Sequence, residues 1–401
     1  MKLTSTLSLT VLTTATCVLS AMAFQPLVAQ SEKPNRPRTQ VLHNDSAHHS
    51  LPNLKVVSDK QWNEIDRAVD RGLFWLSRQQ LANGSFPTRS SGNPGVTSLC
   101  IMSFLSRGHL PGSGPYGQTL DRALDFVLSC QMPNGVFTAE AISQSNTSSF
   151  SAAHSSVYNT TIAGLMLGEL YGLTDAKRAA RIQPAIQKTL DYMHKLQDRQ
   201  ISPQYALDRG GWRYLQRTSE FESDLSVTAW QIMFMRSAVN AGFEVPQNRA
   251  DMAIEYVKRN FERNTGRFYY SFYKTDELPR AMAGAGVLCL FLAGQYDNEI
   301  EQKSGSWMLS QSFAPYNRQI DGEDHYHYAA YYVSQSMFQL GGSYWEQFYP
   351  EFSAVFVGGQ NTDGSWDPES GKHSIYSNCY SSALAILALT PPYQLLPIYQ
   401  R

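Results

Sequence analysis

One phrase of this sequence returns, worn but legible, about every fifty to sixty-five residues. It reads Gly72, Trp75, Leu76, Gln80, Gly84, Phe86: a helix end with an aromatic-Leu pair, then Gln, a Gly turn and a second aromatic. Echoes follow at Phe126, Val127, Gln131, Gly135, Phe137 and at Tyr192, Met193, Gln197, Gly211, Trp212. A fourth runs Tyr256, Val257, Gly266, Phe268, with Asn260 in the place of Gln. The poorest is Trp307, Met308, Gln311, Phe313, and the last is Phe356, Val357, Gln360, Gly364, Trp366. A single Gln before Asn-Gly or Asp-Gly would be an ordinary helix stop, because Gly takes the left-handed conformation cheaply. Six recurrences instead define a repeat architecture.

Between one phrase and the next lies an apolar segment at helical spacing. The six are Val96–Leu105, Val157–Tyr171, Leu225–Val239, Ala281–Leu292, Tyr328–Leu340 and Tyr376–Leu389. In the third, Val227, Trp230, Ile232, Phe234, Met235 and Val239 leave almost no polar face, which places it in an interior. The segments before each Gln differ. Trp62–Gln79 alternates Asp66, Arg67, Asp70 and Arg71 with Ile65, Val69, Leu73 and Leu76, an amphipathic helix with one wet side. Each repeat therefore predicts an outer amphipathic helix, a Gly turn and an inner buried helix. An open solenoid needs polar capping units at its ends. The last unit, Ser381–Leu389 and Pro391–Pro397, has none. The expectation is an all-α fold, an α/α toroid of about six helical hairpins closed on itself.

The phrase resembles the QW repeat of squalene–hopene and oxidosqualene cyclases, a looser form of which occurs in protein prenyltransferase β subunits. The resemblance spans Trp62 to the C-terminus and implies a toroid whose central cavity holds an isoprenoid chain. It also implies that the Gln and the aromatic tie outer helices together and take no part in chemistry.

The cyclases carry Asp-x-Asp-Asp-Thr-Ala, whose middle Asp protonates an alkene, so that acid must be kept protonated and polarised. The matching stretch here is Asp224-Leu225-Ser226-Val227-Thr228-Ala229, with Ser at the acid position. Serine cannot protonate an alkene, and Asp224 reads better as a helix N-cap. The prenyltransferases use zinc held by Asp, Cys and His. The pair would fall at Asp324-His325-Tyr326, with Tyr where Cys should stand, and in Tyr376-Ser377-Asn378-Cys379 Ser377 replaces the ligand His. No metal of the family type and no cofactor is expected. Asp324, His325 and His327 lie together before the fifth inner segment, either converging on a metal from a turn or forming a polar rim with Asp324 as a cap.

Chain-wide features narrow the partners. A net charge of −1 gives no ground for nucleic-acid binding. Lys2, an uncharged stretch Leu3–Ala23 and the close Ala21-Met22-Ala23 match a signal peptide over residues 1–23, so export to a periplasm or beyond is expected. Residues 24–57, rich in Ser, Pro, Asn and His, read as a disordered linker to a domain over 58–401. Four cysteines remain after the signal, each alone in or beside an apolar segment, which suits small core residues better than bridges.

Three functions are open. A monomeric toroid would bind a hydrophobic isoprenoid-like or lipid ligand in a cavity lined by Trp230, Phe234, Tyr331, Tyr332 and Tyr380, with Asp224, Asp324, His325, His327 and Ser377 as catalytic candidates if chemistry occurs. A carbohydrate-active enzyme would need two carboxylates about 5–10 Å apart, and only Asp224, Glu323 and Asp324 offer themselves. A scaffold for a protein partner would have a filled centre and an exposed apolar patch.

Overall fold

The computed structural model describes residues 52–143, 151–215, 221–318, 324–369 and 371–400; the signal-peptide reading and most of the linker lie outside them. The packed structure begins earlier than expected. Val56 and Val57 sit against the core, and Asn53 Nδ2 donates to Glu346 Oε1 at 3.3 Å.

Among the described residues twelve α-helices alternate in two rings. The outer ones are α1 (Asp59–Gln79), α3 (Gly117–Ser129), α5 (Ala176–Gln197), α7 (Gln247–Arg259), α9 (Asn298–Leu309) and α11 (Gly342–Gly358). The inner ones are α2 (Asn93–Leu105), α4 (Ala152–Tyr171), α6 (Leu225–Asn240), α8 (Pro279–Leu292), α10 (Tyr326–Leu340) and α12 (Ser377–Leu389). Each inner helix packs on the next, and α12 returns to α2, so the ring is closed. Inner helices are buried on nearly every side, while α1 buries only Ile65, Ala68, Val69, Gly72, Leu73 and Leu76. The only strands among the described residues are the two-residue pair β1 (Phe261–Glu262) and β2 (Arg267–Phe268).

The repeated Gln holds the outer ring. Gln80 Nε2 donates to Gly84 O at 2.9 Å in its own turn and to Thr119 O of α3 at 2.8 Å. Gln131 reaches Ala185 O of α5 at 2.9 Å, and Gln197 reaches Arg249 O of α7 at 3.0 Å. Gln360 closes the circle, donating to Ala68 O of α1 at 2.8 Å. In the fourth repeat Asn260 is one methylene short and turns back to Tyr256 O, 2.8 Å away. There the next outer helix answers instead, with Ser304 Oγ donating to Gly266 O at 2.7 Å. The third turn corrects the sequence alignment: its positive-φ glycine is Gly210, two before Trp212 as in the other copies, and not Gly211.

The far end of the inner ring is stoppered. Residues Leu396–Tyr399 fold into the C-terminal ends of α4, α6 and α10 and are mostly buried. Ile398 N donates to Glu169 Oε2 at 3.0 Å, Asn240 Nδ2 to Pro397 O at 3.2 Å, and Gln339 Nε2 to Tyr399 O at 3.1 Å. Burial pushes the Glu169 carboxyl up to about 7, against the bonds from Ser237 and Ile398 that favour its ionised form. A carboxyl raised in the folded state gives its full stability below its ordinary value of 4.5 and loses it as pH climbs through about 7. The melting temperature should fall between pH 5 and 8 by the equivalent of roughly 3 kcal/mol, and Glu169→Gln should remove most of that slope. Equal slopes in both proteins would refute this assignment.

Candidate functional site

The N-terminal ends of the inner helices gather at the opposite face, where all five catalytic candidates fall. Asp224 is fully buried and caps α6, its Oδ1 accepting from Val227 N at 2.8 Å. Its Oδ2 accepts from Arg213 Nη1, and the Arg213 guanidinium also donates to Tyr270 Oη at 3.0 Å and lies over the Phe221 and Tyr214 rings. Burial raises the Asp224 carboxyl; Arg213 opposes that, and is itself held more firmly protonated by Asp224. The carboxylate is thus a cap and one half of an ion pair. Thr228, the other survivor of the cyclase motif, has a repeat-wide role. Its Oγ1 accepts from Trp212 N at 3.0 Å, as Thr97, Thr160 and Ser382 accept from the backbone of Phe86, Phe137 and Trp366.

Asp324 and His327 correct the sequence reading. Asp324 Oδ2 takes a two-nitrogen grip from Arg280, whose Nε stands at 2.8 Å and whose guanidinium lies over the Phe313 ring. The cap of α10 is not Asp324 but Glu369, which accepts from Tyr326 N and His327 N at 2.8 Å each and from Tyr328 N at 3.3 Å. Burial raises the Glu369 carboxyl, but the bonds and charge of His327 outweigh it and hold the group below its ordinary value. His327 is buried, with Nε2 2.9 Å from Tyr316 Oη and Nδ1 3.6 Å from Glu369. The pair Asp324 and His327 therefore face different partners. Among the described residues no three His, Cys, Asp or Glu side chains are placed to hold a metal ion, so the convergent-metal alternative is not what the geometry forms. Glu369 was missed in the sequence because no fixed spacing ties a helix to a capping acid that comes from a loop 43 positions further along the chain. Glu323 lies outside the described residues.

His325 is half-buried at the start of α10, 6.2 Å ring to ring from Tyr328. Ser377 opens α12 at φ 70° and donates to Pro87 O, joining the last repeat to the first. Cys100, Cys130, Cys289 and Cys379 are free thiols in the core.

The residues expected to wall a cavity are mostly buried. Trp230, Phe234, Tyr331 and Tyr332 are at most 1 % exposed. Phe234 packs on Gly164 of the neighbouring inner helix. Trp230 stacks on Tyr331 at 5.6 Å and 9°, and Tyr331 Oη meets Tyr399 Oη of the stopper. Above that stack, Trp230 Nε1 donates to Tyr328 Oη at 3.0 Å, Tyr328 Oη lies 2.8 Å from Ser226 Oγ, and Ser226 Oγ lies 3.1 Å from Tyr158 Oη. Aromatic side chains thus meet one another from the mouth to the stopper. Of the five, Tyr380 alone is half-buried, beside Tyr376 at 5.5 Å.

The mouth is thus a shelf of half-buried rings. Tyr158, Tyr214, Tyr376 and Tyr380 present it, with His154 against Tyr214 at 4.4 Å. Burial raises the Tyr376 phenol to about 12 and keeps the Tyr214 phenol above its usual range, so both are neutral donors at physiological pH.

No protein-family model matches the chain, and no curated protein matches it in sequence. Solved structures do match in fold. An α-1,6-mannanase of Salegentibacter sp. HEL1_6 aligns at a TM-score of 0.55 and 10% identity, covering 83% of this chain and 99% of that one. A type II terpene cyclase from Scytonema aligns at 0.52 and 12%, covering 85% and 100%. A family 88 glycosyl hydrolase from Bacteroides vulgatus aligns at 0.50 and 12%, covering 83% and 98%. At these identities the likeness establishes the α/α toroid and nothing finer.

Proposed function

We propose that this chain is an exported, monomeric binding protein built on the stapled repeat scaffold of the squalene-cyclase and prenyltransferase family, holding an oligosaccharide across the tyrosine-lined mouth. The carrying observation is the contrast between the two ends of the axis. In the interior Trp230, Tyr331 and Tyr399 are buried and pack on one another, which favours the mouth over the axis as the binding surface. The mouth offers flat, half-buried rings with neutral hydroxyls, the combination of apolar face and polar edge that suits a sugar ring. Hydrolysis is not part of the proposal. A glycosidase pair needs two free carboxyls about 5–10 Å apart, whereas Asp224 and Asp324 are each bound to an arginine. The scaffold reading is supported by Gln80, Gln131, Gln197 and Gln360, which bridge neighbouring outer helices as the resemblance implies.

Native mass spectrometry of residues 24–401 with manno-, gluco-, galacto- and xylo-oligosaccharides and, separately, a total lipid extract tests the proposal. The expected result is a one-to-one sugar adduct that weakens about tenfold in Tyr376→Ala, since an aromatic contact of this kind carries roughly 1 kcal/mol or more. A lipid adduct on the intact chain, or no sugar adduct at all, would overturn it.

A further inference from the structure

Each inner helix points its N-terminal end, worth about half a positive charge, at the mouth. The six ends are not treated alike. Asp224 caps α6 through Val227 N, and Glu369 caps α10 through the amides of Tyr326, His327 and Tyr328. Among the described residues no carboxylate caps the first turns of α12, α2 and α4, which adjoin one another across the seam of the ring. In α2, Gly95 N goes to the neutral Asn159 Oδ1 at 3.1 Å. In α4 the amides of His154 and Ser155 turn back to Ser151 O at 3.1 and 3.0 Å, and no side chain caps the others. The tyrosine shelf stands in this same sector, with Tyr158 from α4 and Tyr376 and Tyr380 from the start of α12. The carboxylate at its rim is Glu140, bound to Ser90 Oγ, and the Arg89 charge, which reaches Tyr376, offsets it.

His154 is the independent sign of a ligand. It lies in the first turn of α4, only 6 % exposed, with its ring 4.4 Å from that of Tyr214. Its Nδ1 is 3.0 Å from Ser151 Oγ, while Nε2 has no partner among the described residues. Burial, helped by the Arg213 charge, lowers the imidazole below its ordinary value, so it is neutral at physiological pH. An acceptor at Nε2 selects the tautomer in which Ser151 Oγ donates to Nδ1 and Nε2 carries the proton.

From these two observations we infer that the sugar held at the mouth is acidic, and that the carboxylate of a uronic acid unit sits over the first turn of α4 and accepts from His154 Nε2. The inference rests on the mouth reading above and narrows it to a ligand class. An ionised carboxylate is acceptor-only, so it suits a donor nitrogen and spare helix amides. Its charge is what helix ends without a capping acid favour. The rings of Tyr158 and Tyr376 take the faces of the sugar whether it is charged or not. A neutral oligosaccharide therefore binds through the rings alone, and more weakly.

Calorimetric titration of residues 24–401 with tetrasaccharides of galacturonate, mannuronate, guluronate and hyaluronan tests it, each beside its methyl ester, which removes the charge and keeps the rings. At low salt at least one acid should bind one per chain, about tenfold or more tighter than its own ester. The gap should narrow to within about threefold near 1 M salt, where the screening length is about 3 Å. His154→Phe should bring acid and ester to equal affinity, and His154→Gln, which keeps a donor, should restore part of the preference. Esters that bind as tightly as their acids throughout would overturn the inference and leave the mouth reading standing; this comparison needs no variant. An acid preference that survives unchanged in folded His154→Phe would also overturn it. If neither acids nor esters bind, both readings fall.

Discussion

Arg280→Met is expected to cost on the order of 3–5 kcal/mol of folding stability, read from denaturant midpoints at pH 7, because it strands a charge with no solvent to hold it. Arg280 and Asp324 are 1 % and 0 % exposed, and the guanidinium also donates to Ser312 O at 3.2 Å. Taking both charges away should hurt less than taking one: Arg280→Met with Asp324→Leu should recover much of the loss, since a buried pair replaced by apolar groups of similar size is often near neutral. This cycle also separates two roles for Asp324. A structural Asp324 gives strong coupling in stability. An acid serving a ligand would leave stability nearly unchanged on Arg280→Met and alter binding or turnover instead. Near-additive losses in the double variant would show that the pair is not the unit described.

The second large effect is expected at a glycine of the outer ring. A Cβ at Gly210 would stand 2.1 Å from the carbonyl oxygen of Met252 on α7, and the residue sits at φ +96°. Both the clash and the backbone conformation oppose alanine, so Gly210→Ala should cost on the order of 4 kcal/mol. Gly114→Ala is the control. Gly114 shares a positive φ of +65° but has no heavy atom within 4 Å of the added carbon, so the conformational cost alone, about 1–2 kcal/mol, should appear. If the two variants melt alike, the turns do not clamp neighbouring outer helices.

The pairing of these tests follows from what the residues disclose by themselves. The ring was legible because each repeat repeats its physics: an apolar segment must be inner, an amphipathic one outer, and Gln before Gly must satisfy a turn. The observed inner helices begin and end within about five residues of the apolar segments. Even the failed copy is readable afterwards, since Asn260 is too short to bridge and Ser304 compensates from the next helix. Asp224 was also legible as a cap, because a cap acts three residues along the chain.

The site was less legible, for a reason of distance along the chain. Arg280 meets Asp324 from 44 positions away, and Glu369 caps α10 from 43. Nothing in local spacing announces such partners. The aromatic residues misled in the same way. Trp230, Tyr331 and Tyr332 share an inner face in the sequence, but burial alone does not distinguish lining a cavity from filling one. The partner of Tyr331 is Tyr399, which comes from a Pro-rich segment with no helical period to mark it.

The central claim is that ligand is held at the N-terminal mouth of the ring, over the aromatic side chains packed along its axis. Hydrogen-exchange mass spectrometry of residues 24–401, with and without the oligosaccharide panel, tests it most directly. The account predicts added protection at the N-terminal turns of α4 and α12 and around Tyr214, with Leu396–Tyr399 and the C-terminal turns of α4 and α6 unchanged. Protection confined to the stopper end, or none anywhere on saturation with every sugar, would contradict it.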